Sequence, residues 1–182
     1  MRPIEKLKNT LEEIAGKDHY LFAVGDFYQL FPKMSNTALN VLISRAARKG
    51  ILERVCKGLY IYPKADYDKG FELYHCAARL RENVFCYLSL ESVLSEAGVI
   101  SQIPLGTITL MTSGRSGIID CGRFGKIEFI HTQKSISSIV SQLRYNERYK
   151  LWTADAALAL KDLRYVGRNT DLIDWSAANE LI

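Results

Sequence analysis

The sequence predicts an α+β chain in two parts, and three observations carry that prediction. A helix-length apolar stripe ending at Gly50 runs straight into a short basic hairpin. Positive charge is concentrated in the first third of the chain. Alternating strand-like segments separated by glycine turns recur only after residue 106.

The N-terminal elements follow in order. Pro3 to Gly16 (PIEKLKNTLEEIAG) is an amphipathic helix with Ile4, Leu7, Leu11 and Ile14 on one face. Tyr20 to Val24 (YLFAV) is a short apolar strand, and Asp26 to Phe31 a short helix closed by Pro32. Ser35 then suits an N-cap, because its hydroxyl can accept from an early backbone N–H that lacks a helical partner. Leu39, Leu42, Ile43 and Ala46 fall on one face of the helix that follows. At about 100° per residue, Thr37, Ser44 and Arg48 fall on the opposite side with Val41, flanked by Asn40 and Arg45.

Gly50 stops that helix. Ile51 to Val55 and Leu59 to Tyr62 are two β-prone runs around the Lys57-Gly58 turn, and Pro63 ends them. Arg54 and Lys57 lie near the hairpin tip, where positive charge can reach a phosphate backbone. The strand Tyr20 to Val24 is placed to join the hairpin as a third strand. Helix, strand, helix, polar-faced helix and basic hairpin make a winged helix-turn-helix, complete within residues 1–64. Thr37, Asn40, Ser44, Arg45, Arg48, Arg54 and Lys57 are its candidate DNA contacts. For the helix alone, an ordinary solvated surface face would serve equally well.

Charge tips that balance. Met1 to Lys64 carries 11 Lys/Arg against 6 Asp/Glu, whereas the rest carries 13 against 14. From Lys33 to Lys64 seven basic residues face only Glu53. Such placement is the electrostatic footprint of a duplex binder.

The second part, residues 70–182, reads as a mixed helical domain with a small antiparallel β-meander. The polar stretch Pro63 to Lys69 separates it from the first. Phe71 to Arg81 is a helix with Leu73, Ala77 and Leu80 inward, and the stretch Tyr87 to Gly98 offers a cap region at Ser89 with Ser92 and a C-terminal stop at Gly98. Thr107 to Thr112, Ile118 to Cys121 and Lys126 to His131 form the three-strand meander, joined by hairpin turns at Ser113 to Gly117 and Gly122 to Gly125. Gln133 to Trp152 reads equally as helix or strand. Thr153 to Tyr165 is a helix capped by Thr153, with Ala156, Ala157, Leu160 and Leu163 as its apolar face, and Asp174 to Ile182 a last one.

The run FAVGDFYQLFPKMSNTALNVLISRAARKGILERVCKGLYIYP resembles the N-terminal winged helix of the AbiEi-type antitoxins of abortive-infection (type IV) toxin–antitoxin systems. Tyr87-Leu88-Ser89-Leu90-Glu91-Ser92, Ala97 to Ser101, the strands through Ile130-His131-Thr132 and Leu151 to Leu163 are similar to the family in the same order. The likeness spans roughly residues 20–165; the chain is short for the family, and its 133–150 segment diverges. The resemblance implies a transcriptional autorepressor that binds inverted repeats in its own promoter. It also implies an antitoxin that counteracts a nucleotidyltransferase-like toxin, with or without direct contact, in phage defence.

Other chemistry finds little purchase. A chain of 182 residues with 48% hydrophobic content can hold one ample core or two small ones. It has no apolar run of bilayer length and no signal-peptide core, so the expected location is cytoplasmic. Cys56, Cys76, Cys86 and Cys121 are scattered without a CxxC pair, which argues against zinc or a disulfide framework and for buried thiols. Ser113-Gly114-Arg115-Ser116-Gly117 lacks the lysine and spacing of a phosphate loop. His131 has no Asp or Cys at an informative spacing, and Asp155 and Asp162, seven apart on one helix, are expected to solvate it. No cofactor, metal or catalytic site is expected. The competing reading is a winged-helix regulator whose second part senses a small molecule or carries an enzymatic activity.

Overall fold

A computed structural model describes residues 2–101 and 106–181. The chain is mixed α+β and divides into two compact units, Met1–Gly70 and Phe71–Ile182.

In the first unit, α1 (Pro3–Ile14) starts with Pro3 at a position whose N–H would go unused. Strand β1 (Leu21–Ala23) leads directly into α2 (Val24–Leu30), which starts two residues earlier than its polar signal suggests. The carboxylate of Asp26 accepts the Ala23 N–H at 2.7 Å, so Asp26 sits inside the first turn instead of opening it. Helix α3 (Asn36–Arg48) is capped by Ser35, whose Oγ accepts from Ala38 N. Gly50, at φ +68°, turns the chain after it.

Strands β2 (Glu53–Cys56) and β3 (Leu59–Ile61) form the hairpin, and β1 pairs with β3, giving the antiparallel order β1-β3-β2. Arg54 faces Tyr60 and Cys56 faces Leu59, which leaves Val55 as a bulged residue. Leu7, Leu11, Phe22, Phe27, Leu39, Leu42, Ile43 and Ala46 form one buried cluster. The four α3 members match the apolar stripe read from sequence.

The second unit contains α4 (Glu72–Leu80), β4 (Cys86–Leu88), α5 (Leu90–Glu96), β5 (Thr107–Thr112), β6 (Gly117–Asp120) and β7 (Lys126–His131). The segment from Gln133 to Trp152, whose pattern suits helix and strand equally, forms both. It forms α6 (Ile136–Ile139), a 3-10 turn at Val140–Gln142, then β8 (Leu143–Asn146) and β9 (Leu151–Ala154). Helices α7 (Ala156–Tyr165) and α8 (Trp175–Leu181) close the unit; Ile182 lies outside the described residues.

One six-stranded mixed sheet runs in the order β6-β7-β5-β4-β9-β8. The expected antiparallel meander is therefore corrected. Strand β5 pairs parallel with β7, while β6 pairs antiparallel with β7 at the sheet edge. Residues 108–112 are buried on both faces and need neighbours on both sides, whereas Gly117, Ile118 and Asp120 are exposed, as suits an edge. It follows that Ser113 to Gly117 is a crossover connection and not a hairpin turn. The Gly122 to Gly125 turn does join paired strands.

Neighbouring residues of β7 show which helices cover which face, since successive side chains point to opposite sides. Arg81, just past α4, stacks on Phe129, while Arg168, just past α7, pairs with Glu128 and with Glu91 of α5. So α4 covers one face, and α5 with α7 the other. On α7 the cap is Asp155, which accepts from Leu158 N at 2.7 Å, because Thr153 is drawn into β9 beside Leu88. Its buried side is Leu158, Ala159, Leu160, Asp162 and Leu163, while Ala156 and Ala157 are only half-buried. On α4, Leu73 and Ala77 are buried with Cys76, and Leu80 is half-buried.

Candidate nucleic-acid interface

The stripe that buries α3 fixes what its other side presents. With Leu39, Leu42, Ile43 and Ala46 held in the core, Thr37, Asn40, Ser44, Arg45 and Arg48 are all exposed on the remaining arc. They span about three helical turns, a length comparable to the part of a helix that a duplex groove accepts. Among the described residues none of Arg45, Arg48, Arg54 and Lys57 is engaged in an ion pair. The ion pairs Lys8–Glu12 and Lys17–Asp68 lie elsewhere in this unit.

The hairpin adds two cations of different character. Lys57 stands exposed at the turn. Arg54 is also exposed, but its Nε donates to the Cys56 carbonyl at 3.3 Å, which ties the guanidinium stem to its own strand. A tethered guanidinium loses less freedom on meeting a phosphate than a free lysine does. All seven residues singled out in the sequence therefore lie on the solvent side of one unit. Two further lysines escaped the sequence reading. Lys6 and Lys33 line a cleft with Pro3, Phe31, Pro32 and Met34, at the entry to α3. Only the Phe-Pro-Lys punctuation before Ser35 hints at it.

In the second unit the polar chemistry is turned inward. Asp162 is fully buried, which corrects the expectation that it solvates α7. Its Oδ2 accepts from Tyr87 Oη at 3.0 Å and from Ser89 Oγ at 2.7 Å, and Lys134 Nζ pairs with Oδ1. Burial, reinforced by the Asp162 charge, pushes the Tyr87 hydroxyl well above its ordinary range. Beside this cluster, Thr109 N donates to Ser92 Oγ at 2.9 Å and Thr109 Oγ1 to the Ser89 carbonyl at 2.8 Å. Leu90 follows with a φ of +57°, a strained value for a buried leucine. The strand-to-helix corner at Ser89-Leu90 is thus held from both sides by hydrogen bonds.

His131 is likewise structural. Its Nδ1 meets the Gly114 carbonyl at 2.8 Å and its N–H donates to Ser116 Oγ, pinning the crossover loop. Arg81 donates to the Arg115 carbonyl at 3.0 Å, so this loop turns carbonyls, not a nest of N–H groups, toward its neighbours. All four cysteines are buried free thiols, and burial pushes Cys86 up to about 11. Among the described residues no cluster of three His, Cys, Asp or Glu side chains forms a metal-binding group, and no helix is long and apolar enough to cross a membrane.

No family model matches the chain, and no curated protein matches its sequence.

Proposed function

We propose that the first unit is a winged helix-turn-helix that binds duplex DNA, with α3 in the major groove and the β2–β3 hairpin on the backbone. The observation that carries this reading is the division of α3. Its four core residues are buried, Thr37, Asn40, Ser44, Arg45 and Arg48 are exposed opposite them, and Arg54 and Lys57 of the hairpin are exposed as well. Arg and Asn side chains are the donors and acceptors that read base edges, and hairpin cations suit phosphates.

The whole chain then acts as an antitoxin and transcriptional autorepressor in the cytoplasm, without catalytic activity of its own. Its functional partner is a nucleotidyltransferase-like toxin. This part of the proposal rests on the sequence resemblance. One helix and one wing cover a half-site, so repression calls for two copies on an inverted repeat. The test is a gel shift of the full chain on the gene's own promoter, with footprinting. Two protected half-sites are expected, and loss of the shift in an Arg45→Ala/Arg48→Ala/Lys57→Ala variant. Unchanged affinity in that variant would sink the assignment. A gene for a nucleotidyltransferase-like protein directly downstream is the matching genetic expectation.

A further inference from the structure

Val41 stands out on the face that is proposed to enter the groove. Its side chain is 50% exposed, and among the described residues of the first unit no other large hydrophobic side chain is exposed. It lies nearly opposite the buried stripe of α3, and its neighbours one turn away are Thr37, Ala38, Ser44 and Arg45, all exposed. Neither the core nor the helix calls for it. A β-branched residue at an exposed helical position is less favourable than alanine, and its methyl groups gain nothing from water.

In a major groove the setting differs. The polar base-edge groups there donate or accept hydrogen bonds, and thymine alone presents a methyl group, at C5. A valine has no polar atom to offer a base, and its single preferred rotamer in a helix holds two methyls in a fixed position. Arg45 and Ser44 beside it can serve the flanking bases.

We propose that Val41 is a specificity-determining residue that packs against the C5-methyl of one thymine in each half-site. This rests on the reading of α3 as the groove helix, and the experiment separates the two. Duplexes are first selected from a random pool with the full chain. Each thymine of the selected half-site is then replaced by deoxyuridine, which removes the methyl and nothing else. One position should lose about fourfold in affinity, the effect of exposing a single methyl-sized group.

With Val41→Ala the same replacement should be neutral, and with Arg45→Ala it should still cost about fourfold, isolating the contact as a pairwise coupling. Val41→Ala raises helix propensity at a site outside the core, and circular dichroism checks that its fold is kept. A uracil series without a sensitive position, or one equally sensitive in Val41→Ala, overturns the valine contact and leaves groove binding standing. Failure to select any sequence overturns groove binding and the contact with it.

Discussion

Ser89 donates its hydroxyl to the carboxylate of Asp162 at 2.7 Å across 73 residues of sequence, tying the start of α5 to the middle of α7. Tyr87 and Lys134 complete the shell around the same carboxylate. A buried anion with this many donors is costly to disturb, because removing one member strands the others without partners. Asp162→Ala should lower the stability of the second unit by about 3–5 kcal/mol. Lys134→Met should cost about as much, because it leaves the fully buried carboxylate without its counter-charge, whereas Asp162→Ala leaves a partly solvated lysine and two hydroxyls. Urea denaturation of both variants measures the two costs. A Lys134→Met cost below about 1 kcal/mol would mean that the hydroxyl pair, not the lysine, holds the carboxylate.

Base should weaken this unit. Burial raises the Cys86 thiol from 9.0 to about 11, with Arg81 opposing, and burial also raises Tyr87 and Tyr149. Each native pKa lies above its unfolded value, so the native state holds these protons more tightly. The thiol's contribution is complete below pH 9.0 and is lost as pH climbs toward about 11, on the order of 2–3 kcal/mol in all. Denaturation midpoints across that window should fall, and Cys86→Ala should remove the earliest part of the fall. An unchanged midpoint through the window would refute the assignment.

Gly125, just before β7, lies close against the backbone of Gly106. It adopts φ +112°, and a Cβ there would lie 2.2 Å from the Gly106 carbonyl oxygen, which accepts from Lys126 N. Gly125→Ala should therefore cost about 3 kcal/mol through strain and displacement of that bond. Gly117 has nothing within 4 Å of the same construction, and Gly117→Ala should change stability by no more than about 0.5 kcal/mol. Thermal melts of the pair make the comparison, and similar shifts would count against the close approach.

What could be read in advance tracks how local the determinants are. Ser35, the stripe from Leu39 to Ala46, and Gly50 define α3 within sixteen residues, and the structure has all of them in those roles. The pairing of β5 with β7 was not legible in the same way. Adjacent strands suggest hairpins, and only the exposure of Ile118 and Asp120 reveals β6 as an edge. Asp162 departs from its sequence expectation for a related reason. Its helical spacing from Asp155 suggests a shared solvent face, but Tyr87, Ser89 and Lys134 arrive from other elements, and helix periodicity carries no trace of them. Thr153 and Asp155 are both capping residues by type, and the parallel pairing of Thr153 beside Leu88 decides between them.

The two hairpin cations should behave differently from the helix arginines on DNA. Lys57 is exposed at the turn and Arg54 is tied to the Cys56 carbonyl, and in the proposed binding mode both meet phosphates and not base edges. Lys57→Ala should weaken binding by the same factor on selected and scrambled duplexes, and lower the slope of log affinity against log salt by about 1. Arg45→Ala or Arg48→Ala, where the arginine reads a base, should instead cost about 1–3 kcal/mol on the selected duplex and little on the scrambled one. Fluorescence anisotropy over a salt series on both duplexes separates the classes. A Lys57→Ala variant that alters sequence preference while keeping the wild-type salt slope would place the hairpin in a groove and not on the backbone, and the division of labour between α3 and the hairpin would then be wrong.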